Sequence, residues 1–365
     1  MERFFAHLQK LDWILIGSSI ALVGIGCLSI YSSSAARGDF SNFEKQLIFF
    51  GVGLFAMFAV SIFDYRLIRN NSYLILFFYA VGIAALGGLF IFAPEIRGTK
   101  AWYRIGGVSL DPIEYMKIVL ILIMAKYFAL RHIEVYRIRH IILTCIYFII
   151  PIMLIALQPN LGPVLILGIL WIVLLLIAGI RFHHLFGILA LGILIFSLGW
   201  SFLLLDHQKS RIASFIEPEL DPLGIGWSQL QSQIAIGNGG MFGQGFGKGT
   251  QTQYGFLSEP QNDFVFSAIA EEFGLFGACL VFALLLLLIW RVVKIGVNSQ
   301  DNFSRLYAGG FAILLIAHTF VNVGMNLGLL PIIGLSLPFV SYGGSSLIVT
   351  YIGLGFLLSI KSHES

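Results

Sequence analysis

The sequence predicts an all-α polytopic membrane protein of ten transmembrane helices, with one long extracytoplasmic loop between the seventh and eighth. Three observations carry this. Hydrophobic residues make up 58% of the 365 positions and charged residues only 11%, with a mean hydropathy of +0.90, more apolar than a soluble domain. Apolar runs long enough to cross a bilayer recur along the whole chain. Lys and Arg crowd into alternate loops: 13 of the 22 fall on one side, together with six of the 19 acids. The positive-inside rule places that side, and both termini with it, in the cytoplasm.

The spans fall at about 11–34, 46–63, 73–93, 113–130, 140–157, 162–180, 184–205, 264–294, 305–329 and 343–360. The first run is a full span without a small-residue cleavage motif, so no cleavable leader is expected. The 33 Phe and 40 Gly suit lipid-facing bulk combined with close helix contact. Cys27, Cys145 and Cys279 lie inside apolar runs with no CxxC spacing, and read as small packing residues. The whole chain, 1–365, reads as one membrane domain. Its outer face carries a segment near 94–112 and the large loop 206–262. Within that loop Trp227, Leu230 and Ile234 form a short apolar stripe beside Gln229, Gln231 and Gln233, the pattern of a helix on the membrane surface.

The polar residues near span ends carry the chemistry, because charge inside a bilayer needs a reason. A glycine-rich stretch, Gly237–Gly255, leads to a lone carboxylate, Asp263, just before the eighth span. Asn262 or Asp263 could simply cap that helix. Glu114 and Lys117 stand three apart near the outer end of the fourth span, spaced to meet on one face. Glu271 and Glu272 follow two turns below Asp263, and either pair with other helices or line the same cavity. Asn322, Asn326 and His318 read as interhelical hydrogen-bonders. Gly243–Gly249 lacks the GxxxxGK[ST] pattern of a phosphate loop, and neither an HExxH motif nor a nucleic-acid module is present. Outer cations, including Lys100, Arg104 and Lys117, beside the acids Asp263 and Glu114 suit a lipid-linked pyrophosphate and a sugar hydroxyl. Residue chemistry thus points to an enzyme or a carrier for a lipid-linked glycan, and leaves the two open.

The stretches 98–117 (GTKAWYRIGGVSLDPIEYMK), 158–162 (QPNLG), 231–251 (QSQIAIGNGGMFGQGFGKGTQ), 256–274 (FLSEPQNDFVFSAIAEEFG) and 322–346 (NVGMNLGLLPIIGLSLPFVSYGGSS) resemble the SEDS family of shape, elongation, division and sporulation proteins. GKGTQTQ before FLSE, and NVGM before LPFVSYGG, are more similar to its elongation branch. The resemblance implies a ten-span SEDS fold and a peptidoglycan glycosyltransferase that uses lipid II. It implies Asp263 as the catalytic acid–base group, and a substrate-binding set of Lys117, Glu114, Arg104, Lys100, Gln158 and Glu272. It also implies a class B penicillin-binding protein, a transpeptidase, as partner, in the bacterial cytoplasmic membrane. No cofactor is legible, although a divalent cation, Mg2+ or Mn2+, could assist; no nucleic acid is expected. The chain departs from the family pattern at Asn160 and Pro163, at Ser258, Gln261 and Asn262, and at Asp111 and Ile113. The alternative is a lipid II flippase or other transporter, since ten spans with broken, polar segments also suit one.

Overall fold

A computed structural model describes residues 7–95, 99–131, 138–202, 206–217 and 224–364. Nine helices among these are long and apolar enough to cross a membrane. They are α1 (Trp13–Arg37), α2 (Ser41–Ile62), α4 (Ser72–Phe92), α6 (Ile138–Ala156), α7 (Leu161–Ala178), α8 (Phe182–Phe202), α12 (Val265–Asn298), α13 (Asn302–Asn326) and α14 (Gly344–Glu364). The tenth expected span is α5 (Pro112–Arg131), whose Glu114, Lys117 and Lys126 lower its hydropathy. Those charges mark the centre of the bundle. Ile113, Met116, Lys117 and every residue from Ile118 to Ala125 are buried, and α5 packs against α4, α6, α7, α13 and α14. A helix buried all round must satisfy its polar groups with protein.

Short helices complete the chain: α3 (Arg66–Asn70), α9 (Asp206–Ile216), α10 (Ile225–Gly239) and α11 (Thr250–Gln253). An antiparallel hairpin, β1 (Tyr103–Ile105) with β2 (Val108–Leu110), sits just before α5. Gly106 and Gly107, at φ +58° and +81°, supply the left-handed pair that a two-residue hairpin turn needs. The stripe expected on α10 points outward, with Trp227 and Leu230 exposed, while Gln229, Gln231 and Ser232 are buried on the inner face. α10 packs on α12.

α12 is broken at Gly274, where φ is +67° and ψ −161°, backbone that only glycine adopts readily. The glycine-rich segment fills the break. Gln244 N–H donates to the Glu271 carbonyl at 2.9 Å, Gly245 N–H to that of Glu272 at 3.0 Å, and Leu275 N–H to the Gly240 carbonyl at 2.9 Å. Non-helical backbone at membrane depth is thereby paired within the protein, as a bilayer demands. At the opposite end of the bundle Asp12, 1% exposed, closes α1 by accepting from Leu15 N–H at 3.1 Å. The same carboxylate pairs with Arg291 of α12 and with Lys361 of α14 at 3.0 Å.

Candidate active site

The site begins at the outer end of α5. Asp111 closes that helix by accepting from Ile113 N–H at 2.8 Å, and one turn in, Glu114 and Lys117 face the same way. They form an ion pair at 2.7 Å with Lys117 1% exposed and Glu114 16%, the meeting their spacing predicted. Lys117 also reaches His318 Nε2 of α13 at 3.0 Å. An ammonium only donates, so Nε2 accepts and the ring proton sits on Nδ1, which points to the Ser336 carbonyl at 3.3 Å. His318 is therefore neutral, and a single buried cation stands between an acid and an imidazole.

Asp263 lies in the turn Gln261–Phe264, directly before α12. Phe264 holds the cap position of α12 without a side-chain bond. Asn326 of α13 does that work, its Oδ1 accepting from Ser267 N–H at 3.2 Å and from Ser267 Oγ at 2.5 Å. Three successive carbonyls of the turn accept hydrogen bonds from later elements. Tyr342 N–H donates to Gln261 O at 2.8 Å and Ser341 Oγ to Asn262 O at 2.7 Å. Asp263 O receives Asn322 Nδ2 at 3.1 Å and Asn326 Nδ2 at 2.8 Å. On its other flank Gln261 bridges α1 and α2, donating to Ser34 Oγ at 3.2 Å and accepting from Asn42 Nδ2 at 2.7 Å.

The segment 331–341 joins the carboxylate to the ammonium. A Cβ built on Gly334, whose φ is +72°, would lie 3.7 Å from Asp263 Oδ2. The next two carbonyls are tied to α13, Leu335 O to Asn322 Nδ2 at 2.7 Å and Ser336 O to His318. His318 and Asn322 are one turn apart, roughly 6 Å of rise. Asp263 thus lies beside this backbone directly, and Lys117 is joined to it through His318.

The other expected residues divide. Arg104 is exposed on β1 opposite Ser109, and Lys100 is half-buried just before it. Ser345 of α14 holds the hairpin beside the start of α5, its Oγ donating to Ser109 O at 3.1 Å and accepting from Asp111 N–H at 2.9 Å. Gln158 and Glu272 are not brought onto Lys117 or Asp263. Gln158 donates to the Leu86 carbonyl of α4 at 3.1 Å. Glu272 accepts from Ser32 of α1 and from Gln253 Nε2 at 3.3 Å. Glu271 takes the first of the two roles open to it and holds α11, accepting from Gln251 N–H at 2.6 Å and Thr252 N–H at 3.0 Å. Asn322, Asn326 and His318 are the interhelical hydrogen-bonders expected of them, and His318 adds a contact to Lys117. Their four-residue spacing puts all three on one face of α13, a signal open to sequence reading. Among the described residues no three His, Cys, Asp or Glu gather as a metal-holding group, so the side chains present do not fit a resident ion.

The family model described as a cell cycle protein, FtsW/RodA/SpoVE, matches residues 10–365. The chain belongs to this family, the SEDS proteins. Among SEDS relatives, the peptidoglycan glycosyltransferase MrdB of Escherichia coli is 34% identical, over 100% of this chain and 96% of that protein. Stage V sporulation protein E of Bacillus subtilis is 32% identical, over 97% of each. A chain from a peptidoglycan synthase complex that coordinates polymerization and crosslinking superposes with a TM-score of 0.83 at 30% identity, covering 97% of this chain and 98% of that one. The rod shape determining protein RodA of Thermus thermophilus gives 0.71 at 27% identity, covering 97% of each.

Proposed function

We propose that this chain is a peptidoglycan glycosyltransferase that joins lipid II to a growing, undecaprenyl-pyrophosphate-linked strand during cell-wall elongation. The observation that carries the site assignment is the pair of groups joined by residues 334–336: the Asp263 carboxylate beside Gly334 and the clamped Lys117 ammonium reached through His318. Asp263 takes the proton from the 4-hydroxyl of the acceptor GlcNAc. That oxygen forms a bond to the anomeric carbon of the donor MurNAc, while the carbon–oxygen bond to pyrophosphate breaks. The electron pair leaves on undecaprenyl pyrophosphate, and the α-linked phosphate becomes a β-glycosidic bond. Lys117 offsets the charge growing on the leaving group, with Glu114 and His318 fixing its direction. Arg104 and Lys100 meet the pyrophosphate at the mouth. A Mg2+ or Mn2+ ion would arrive with the pyrophosphate. A class B transpeptidase is the partner we infer, supported by the likeness to a chain of a synthase complex. Both termini face the cytoplasm in this reading, with the site on the outer side. The carrier reading is not favoured, since relatives matching the whole length are named glycosyltransferases.

The test is polymerisation by the purified complex in detergent micelles, where no second compartment exists to receive a carried lipid. With the partner's acylation site blocked, glycan strands are expected from the parent. Asp263→Asn should lower product by about 100-fold or more, the scale of lost acid–base catalysis. Strands made undiminished by that variant would sink the role of Asp263, and none from well-folded parent complex would favour the carrier.

A further inference from the structure

We infer that Asn326 is a positioning residue for the transfer, holding the Asp263 carboxylate in place by gripping that residue's own carbonyl; this rests on the role of Asp263 proposed above. Asn326 is fully buried and every hydrogen-bonding position of its amide is used. Nδ2 donates to Asp263 O at 2.8 Å and to Asn322 O at 2.8 Å. Oδ1 takes Ser267 N–H and Ser267 Oγ. Its own carbonyl receives Ser232 Oγ of α10 at 2.8 Å, and Ser232 in turn meets Ser267 at 2.6 Å. One residue, by side chain and backbone carbonyl together, therefore joins α10, α12, α13 and the turn that carries Asp263.

The two halves of the amide do separable work. The oxygen closes the start of α12, which is support for the fold. The nitrogen acts on Asp263, with help from Asn322 Nδ2 at 3.1 Å. Rotating the peptide plane after Asp263 would swing its Cα, and with it the carboxylate, against the backbone at Gly334. Two donors on one carbonyl oppose that rotation. Misplacing a reacting group by about 1 Å can cost on the order of 100-fold in rate without weakening substrate binding.

Asn326→Asp separates the halves, because a carboxylate keeps the acceptor for Ser267 and loses both donors. It also faces the Asp263 and Asn322 carbonyl oxygens with negative charge. In the full complex in detergent, with lipid II varied, kcat per folded molecule should fall by roughly 10- to 100-fold, more than the loss in Tm accounts for, with KM and recovery of the partner unchanged. Asn322→Ala removes the longer of the two grips, together with the tie to Leu335 O at 2.7 Å, and should cost several-fold less, which keeps the inference testable if Asn326→Asp folds poorly. In an Asp263→Asn background, Asn326→Asp should cost nothing further, since residues that act through one another are not additive.

Full kcat in both Asn326→Asp and Asn322→Ala, with Asp263→Asn inactive, would overturn the positioning role and leave that of Asp263 standing. Losses that multiply in the double variant would show Asn326 acting elsewhere and also overturn it. A fall in kcat that only tracks Tm across the variants would reduce Asn326 to support of the fold. Activity retained by Asp263→Asn would instead remove the base on which the inference rests.

Discussion

Lys117 shows how a buried charge is kept and used. Its ammonium has Glu114 at 2.7 Å and neutral His318 at 3.0 Å, so removing either partner strands a charge in a dry helix bundle. Lys117→Met should lower glycan synthesis by about 100-fold, as loss of a preorganised electrostatic group does, while the protein still accumulates in membranes. His318→Gln can offer an oxygen where Nε2 stood and should keep more activity than His318→Leu, which offers nothing. Equal turnover by the two variants would show that the imidazole does not orient Lys117. Asp111, just outside α5, supplies a pH dependence. Burial, with the Glu114 charge beside it, pushes its carboxyl from 3.8 up to about 7. Between those values the folded chain holds a proton that the unfolded chain has released. Stability therefore falls as pH rises through that window and levels off above it. Asp111→Asn removes this titration, so Tm should drop less between about pH 5 and pH 7.5 in the variant than in the parent. Parallel curves would place the titration on another group.

At the scale of elements, α12 is two helices that the glycine-rich segment splices. Gly274 could not be read from the sequence, because it sits within an apolar run whose hydropathy alone predicts one continuous span. The hairpin at 103–110 was legible in principle, since Ile105-Gly106-Gly107-Val108 is a two-residue turn between β-branched residues. Apolar length placed all ten spans, and α5 is set apart from the other nine by its charges. What the chain could not display was which polar groups meet: Glu114 and Lys117 share a helix and were foreseeable, whereas His318 and Asn326 find partners in elements remote in sequence. Gly274→Ala should destabilise strongly. The φ costs about 1–3 kcal/mol for a non-glycine residue, and a Cβ would come to 2.6 Å from the Met241 carbonyl oxygen. Glu271→Gln keeps the helix but loses one of the two acceptor oxygens that hold α11. Limited proteolysis should then cut near Thr250–Gln253 at lower protease concentration than in the parent. Unchanged cleavage would mean that the segment is held by other bonds.

For the whole molecule, the bundle is locked at one end and open to chemistry at the other. The lock is Asp12 with Arg291 and Lys361, joining α1, α12 and α14. Asp12→Asn still closes α1 but leaves two cations facing each other without an acid. Breaking a buried ion pair costs about 3–5 kcal/mol, and partial exposure of Arg291 and Lys361 reduces that to roughly 1–3 kcal/mol. Tm should fall while turnover per folded molecule at the far end stays that of the parent, because distant sites behave independently. A fall in turnover with unchanged Tm would instead connect the two ends.

The three tethered carbonyls of the turn Gln261–Asp263 bear on the order in which the site is assembled. Asp263 leaves the ribosome well before Asn322, Asn326, Ser341 and Tyr342, whose groups hold its turn, and before Ser345, which ties down the hairpin. A nascent chain carrying its first eight spans thus already contains the acid, the cation and the hairpin, but not their arrangement. Insertion of the ninth and tenth spans completes the geometry, so the site takes its shape only after residues 322–345 have been made.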